Sequence, residues 1–176
     1  MADIITLQAS DGSTIQFIND IKAAGGMKDV YFSPDKRYVV AFFRHKNDEQ
    51  LKERLTMITG QYRERIFNQQ GGDYWRSVYC WPTATVDYQG RIGVVVPFYE
   101  SNFFFDYGSK QNDMLGIQGK EKEGKWFASP SNRKKYLDAR ELGSWLHHIK
   151  ICLQIARATR RLHAAGLAHS DRKSVV

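Results

Sequence analysis

The stretch Ala23–Phe43 reads A-A-G-G-M-K-D-V-Y-F-S-P-D-K-R-Y-V-V-A-F-F, and the fold is decided there. Val30 to Phe32 and Tyr38 to Phe43 are dense in β-branched and aromatic residues, which suit a pleated, buried surface. Ser33-Pro34-Asp35-Lys36 between them carries turn residues, because proline pre-sets φ and the Ser and Asp side chains can bond their own backbone. Ahead of both runs lies the flexible Ala23-Ala24-Gly25-Gly26. The order is strand, glycine-containing loop, strand, turn, strand. Glycine lacks the Cβ that would hold a ligand away, so such a loop can bring backbone N–H groups close to phosphates. An ordinary mobile hairpin is the plainer reading of the same residues.

Working towards the N-terminus, Ile4 to Leu7 and Thr14 to Ile18 are short β-prone runs on either side of Ser10, Asp11 and Gly12, as a hairpin requires. In the other direction, Asn47 with Gln50 makes a capping-box pattern. Leu51, Leu55, Ile58, Tyr62 and Ile66 then recur at three- and four-residue steps, which predicts an amphipathic helix to about Phe67. Its polar positions include Glu53 and Glu64, solvated by default, either of which can instead face a cation on the sheet. After Gln70-Gly71-Gly72-Asp73, Val78 to Trp81 and Thr83 to Tyr88 read as strand, Gln89-Gly90 as a turn, and Ile92 to Val96 as a buried strand. Pro97 ends it, so Pro97-Phe98-Tyr99-Glu100 is an extended exit whose backbone can hydrogen-bond a flat heterocycle.

Residues 106–137 are rich in Gly, Ser, Asn and Lys and predict an irregular, partly mobile connection, anchored by Phe103-Phe104-Phe105 and Trp126-Phe127. Asp138 with Glu141 gives a second capping box, and apolar residues from Leu142 to Leu162 mark a long helix stopped by Gly166. The chain then leads through Leu167 and Ala168 to His169-Ser170-Asp171.

With 176 residues, 42% hydrophobic, 13% aromatic and 26% charged, the chain has the composition of a soluble globular protein with a substantial core, and the order of strands and helices predicts an α+β fold. It shows neither a long apolar span nor a secretory leader, which predicts a cytoplasmic protein without membrane contact. A net charge of +7 favours phosphate-bearing ligands, but Lys and Arg are spread along the chain, so no specific nucleic-acid site is expected. Cys80 and Cys152 have no metal or disulfide spacing and read as reduced, packed thiols. No metal site is expected, since nothing like H-x-x-H accompanies the histidines.

The order of parts resembles the N-terminal lobe and first C-lobe helix of a eukaryotic-like protein kinase. More closely, G-G-M-K-D-V-Y-F-S-P-D-K, G-K-E-K-E-G-K-W-F-A-S and H-A-A-G-L-A-H-S-D resemble bacterial kinase-like proteins of tellurite-resistance clusters. The resemblance covers nearly all of residues 4–171. It implies a kinase-like N-lobe over residues 1–100, a hinge exit and basic connection over 101–137, and a C-lobe helix with the start of a catalytic loop over 138–176. For the intact protein it implies ATP- and Mg2+-dependent Ser/Thr phosphorylation of a protein substrate. It also implies association with a von Willebrand A-type protein and a metal-dependent phosphatase. Asp171 takes the place of the base that orients the substrate hydroxyl, with His169 holding its loop. Gly25, Gly26, Val30, Ala41, Phe43, Glu53, Glu64, Pro97, Phe98 and Tyr99 take the nucleotide-binding positions.

Several positions depart from the kinase pattern. Aligned on Val30, the loop pattern G-x-G-x-x-G-x-V has Ala23, Gly25 and Lys28 where glycines stand, and the V-A-I-K strand reads Val40-Ala41-Phe42-Phe43, with Phe43 in place of the phosphate-binding lysine. Arg44 or Lys46 is a substitute cation by proximity, although adjacent strand residues face opposite ways. The catalytic-loop Asn falls at Val176, and no Asp-Phe-Gly follows. The expectation is a chain truncated within the catalytic loop, with little phosphoryl transfer. The alternative expectation is a pseudokinase or scaffold that binds partners in such a stress-response system. Self-association through the apolar stripe of the long helix is expected in either case.

Overall fold

Strand β5 (Tyr38–Phe43) occupies the centre of a five-stranded antiparallel sheet in the computed structural model, which describes residues 3–24, 26–44 and 48–168. On one side it pairs with β4 (Lys28–Phe32), which in turn pairs with the short β3 (Ala23–Ala24). On the other side lies β7 (Arg91–Pro97), followed by β6 (Ala84–Tyr88). The chain is α+β, and its two compact units divide between Phe98 and Tyr99.

Turn chemistry sets the registers. The buried Ser33 accepts the Tyr38 N–H through its hydroxyl and donates to Asp35 Oδ1 at 2.8 Å, which fixes Phe32 opposite Val39 and Lys28 opposite Phe43. Between β6 and β7, Gln89 and Gly90 both take positive φ (51° and 72°), as a two-residue hairpin that follows the strand twist requires.

Side chains alternate across β5, so Val40 and Phe42 enter one core while Ala41 and Phe43 enter another. The first is closed by a separate hairpin of β1 (Ile4–Gln8) and β2 (Thr14–Ile18). Its Phe17 ring lies 5.4 Å from Phe42 and 5.2 Å from Tyr31. Ser10, in the hairpin loop, exchanges hydrogen bonds with the backbone of Thr85 and ties the hairpin to β6. The second core is closed by Leu51, Leu55 and Ile58.

Those three residues belong to the predicted helix, but the helix is not uniform. It runs as α1 (Glu49–Met57), a π-helical segment (Ile58–Tyr62) and α2 (Arg63–Phe67). The indole N–H of Trp81 donates to the Ile58 carbonyl at 2.9 Å, so an acceptor in the π segment is satisfied from outside the helix. The N-cap is Asp48, whose carboxylate accepts from Gln50 N–H, one residue beyond the expected Asn47, which lies outside the described residues.

Val78–Trp81 is not a strand. Gly72–Val78 forms helix α3, and only Tyr79 onward is extended. Gly71 enters with φ 79°, and a Cβ on Gly72 would fall 1.9 Å from the Phe67 carbonyl oxygen, so this pair of glycines lets α3 turn tightly against α2. Tyr79 and Trp81, the aromatics of that stretch, follow the helix, and the Tyr79 ring lies 5.8 Å from Trp75 and 6.0 Å from Trp81.

In the second unit, Phe105, Ile117 and Leu137 form a small core beside Trp126. Residues 106–137, expected to be irregular, contain the short helices α4 (Lys110–Asp113), α5 (Lys125–Ala128) and α6 (Pro130–Tyr136). Gln111, Asn112 and Asp113 all have φ above 50°, and the Asp113 carboxylate organises this left-handed turn by accepting N–H groups from Ser109, Ile117 and Gln118. Burial opposes its ionisation, but these hydrogen bonds prevail and bring its pKa down to about 2. The long helix α7 (Trp145–Ala164) begins at a Ser144/His147 capping box. It does not begin at Asp138, which caps only a 3-10 turn over Ala139–Glu141 before Leu142 goes extended.

Gly93 faces Phe42 across the β5–β7 pair, where an added Cβ would lie 2.6 Å from the ring. Gly93→Ala is therefore expected to displace the Phe42 ring and destabilise the chain by about 1–3 kcal/mol, the usual cost of overpacking a full core. Urea denaturation with an unchanged midpoint would show that the core yields freely.

Candidate functional site

The candidate site is built on the helix side of the sheet. Period-two alternation places Lys28, Val30 and Phe32 of β4, Val39, Ala41 and Phe43 of β5, and Ile92, Val94 and Val96 of β7 on this one face. Helix α1 covers the end around Phe43, Ile92 and Val94, all buried. At the other end Val30, Phe32, Val39 and Val96 are only half-buried. The result is an apolar floor closed at one end and open at the other, about 13 Å from Val39 to Phe43 at ~3.3 Å per residue.

Among the residues predicted from sequence, Val30, Ala41 and Phe43 come together on this floor. Gly26 sits exposed in the β3–β4 turn, and a Cβ there would meet nothing within 4 Å. Gly25 lies outside the described residues, as do His169 and Asp171. Pro97 is the last residue of β7, paired with Tyr38. Phe98 donates its N–H to the Arg37 carbonyl at 2.9 Å and sets its ring edge-on to Phe32, while the exposed Tyr99 belongs to the second unit. Glu53 and Glu64 are both exposed on the helix, and neither forms an ion pair among the described residues.

Arg44 is not the substitute cation. Its side chain lies on the hairpin side of the sheet, where it donates to Asp29 Oδ1 at 2.8 Å while Arg91 donates to Asp29 Oδ2 at 2.8 Å. Asp29 is buried, and the hydrogen bonds from Arg44 and then Arg91 hold its carboxyl below the ordinary 3.8 against the opposing effect of burial. Lys46 lies outside the described residues.

The cation that does share the face of Phe43 is Lys28. It stands directly opposite Phe43 in the β4–β5 register, with Nζ 4.5 Å from the ring centroid. The ammonium is half-buried, and loss of water pushes its pKa below 10.5. Cation–π contacts of this kind contribute roughly 0.5–2 kcal/mol. Sequence reading assigned Lys28 only to a missing glycine position. The signal lay in the five-residue turn 33–37, which fixes the register that pairs 28 with 43.

An open depression of about 390 Å3 beside the N-terminal hairpin, lined by Thr14, Gln16, Pro34, Asp35, Arg37 and Tyr38, includes none of these residues. Among the described residues no helix is long and apolar enough to cross a membrane. No protein-family model, curated protein or solved structure matches the chain.

Because the folded-state pKa of Asp29 is depressed, its ionised form contributes stability in full above the unfolded value near 3.8 and loses it as pH falls through the folded value. Asp29→Asn is expected to lower the urea midpoint at neutral pH, with the gap from wild type narrowing as acid protonates Asp29. A gap that stays constant down to pH 3 would contradict the two-arginine arrangement.

Proposed function

We propose that this chain is a kinase-like nucleotide-binding module that takes ATP on the helix-side face of its sheet. Phosphorylation of Ser or Thr in a protein substrate is the activity proposed for the intact protein. The observation that supports this best is the apolar floor of Val30, Val39, Ala41 and Val96, open at the end away from α1, with an ammonium further along the same face beside a glycine-containing turn. A flat base needs apolar contact above and below, and a polyphosphate needs a cation at a distance from that base. The order of elements adds support: a glycine hairpin, a third strand, a helix on one face, and two strands returning to the third.

The residues present fit the nucleotide in those respects. Among the described residues no group of three or more His, Cys, Asp or Glu side chains is placed to hold a metal ion, and none is assigned to the magnesium that accompanies ATP. Asp171 is the proposed base for orienting the substrate hydroxyl, as the resemblance implies.

A second reading is favoured by a different observation. On α7, Trp145, Leu146, Ile149 and Leu153 are all exposed and share one face of the helix as an apolar stripe. A scaffold that works by holding partners, in a tellurite-resistance-type phosphorylation system, uses such a surface.

Calorimetric titration with Mg-ATP is expected to give micromolar binding, and radiolabelled transfer to a protein acceptor by the intact protein is expected to vanish with Asp171→Ala. Absence of any nucleotide binding would remove the enzymatic reading and leave the scaffold. For α7, sedimentation at rising concentration is expected to report species larger than a monomer, and Leu146→Glu with Leu153→Glu to return the monomeric mass. A monomer at every concentration would count against self-association.

A further inference from the structure

Lys28 carries its half-buried ammonium on the face that Phe43 closes, with Nζ 4.5 Å from the ring centroid. Among the described residues no carboxylate pairs with it. The neighbouring carboxylate, Asp29, lies on the opposite face and is engaged by Arg44 and Arg91. Glu53 and Glu64, the acidic residues of the covering helix that were expected to reach a sheet cation, are exposed.

Taking an ammonium partly out of water without a counter-charge costs stability, and an aromatic ring offsets only part of that cost. An anion arriving on this face would offset the rest. The turn that precedes Lys28 adds a second feature: Gly26 has open space where a Cβ would stand, so contacts among the described residues do not require glycine there. Close approach of a ligand to the backbone is a use for it.

We propose that Lys28 is the phosphate-anchoring cation of the nucleotide site, supplied from β4 to the face where the kinase pattern supplies a lysine from β5. The inference rests on the nucleotide-binding reading above. The ligand group it addresses is the polyphosphate of an adenine nucleotide, bound by charge-assisted hydrogen bonds from Nζ while the base lies on the apolar floor towards Val39 and Val96. Phe43 shapes the site by limiting the ammonium's freedom, and its own contact with the nucleotide is apolar.

The test compares ATP with adenosine, measured by calorimetry on this chain as wild type, Lys28→Met, Lys28→Arg and the double variant Lys28→Met/Phe43→Lys. The wild type is expected to prefer ATP. Lys28→Met is expected to lower ATP affinity by about tenfold or more, the loss of one charge-assisted hydrogen bond, with adenosine affinity unchanged. Unchanged adenosine binding also shows that the variant is folded. Lys28→Arg keeps part of the preference, and the double variant, which returns the charge from the neighbouring strand, restores it. If Lys28→Met keeps the full preference for ATP, the inference is overturned while nucleotide binding stands. If the wild type binds neither ligand, the nucleotide reading fails and the inference fails with it. A separate readout is acylation of Lys28 followed by mass spectrometry: ATP is expected to protect the amine and adenosine is not, and equal labelling with both would overturn the assignment.

Discussion

Strand β5 is buried on both faces, and the rest of the first unit follows from that constraint. Val40, Ala41, Phe42 and Phe43 are successive buried residues that alternate between two cores, so the strand needs cover on each side. The β1–β2 hairpin supplies one cover through Phe17, and α1 supplies the other through Leu51 and Leu55. Burying a phenylalanine contributes roughly 1.5–3 kcal/mol, so Phe17, Phe42 and Phe43 together give the unit much of its margin. Gly93 is part of the same constraint, because the Phe42 ring occupies the space a side chain there would fill.

The run of four buried residues, Val40–Phe43, leaves room for charge only beyond its ends. Lys28, Asp29, Arg44 and Arg91 gather at one end of the sheet, beside the β3–β4 turn, and the pleat sorts them by face. Asp29 with its two arginines lies on the hairpin side, where the opposed charges offset one another's loss of water. Lys28 lies on the helix side, with an aromatic ring and no carboxylate among the described residues. The first arrangement is satisfied within the fold. The second is satisfied only in part, and the unit holds it in place because Phe43 and Val30 are fixed by the core on either side.

Much of this was legible in the sequence where a local rule acts alone. The strands around Ser33-Pro34-Asp35, the Gln89-Gly90 hairpin and the Ile92–Val96 strand depend on turn chemistry and apolar runs, and they stand where those rules put them, with Val96 half-buried. Errors came where a tertiary contact decides. The helix over 49–67 contains a π segment whose Ile58 carbonyl is satisfied by Trp81, a partner no periodicity reveals. Val78–Trp81 looked like strand because aromatics favour sheets, but Gly71 and Gly72 permit a helix through Val78, and Tyr79, extended beyond it, packs its ring against Trp75. Asp138 matched a capping pattern, yet Ser144 with His147 caps the long helix, since an extended Leu142 separates the two turns. At the candidate site, the apolar positions Val30, Ala41 and Phe43 were legible from alternation. The inward role offered to Glu53 or Glu64 was not realised, because Leu51, Leu55 and Ile58 already take the face that meets the sheet.

Lys28 shows why a site can elude a reading made one strand at a time. Residues directly opposite on antiparallel strands have Cβ atoms about 4.5–5.5 Å apart, less than the length of an extended lysine side chain. A cation set on either member of such a pair therefore reaches nearly the same volume on the same face. A lysine on β5 is one way of placing a charge there, and Lys28 on β4, opposite the aromatic ring of Phe43, is another. Chemistry on a sheet face depends on where the charged atom arrives and how far it is desolvated, and much less on which strand carries its backbone. The absence of a charge at residue 43 is thus no measure of whether the face holds a cation; the register that sets Lys28 opposite it is.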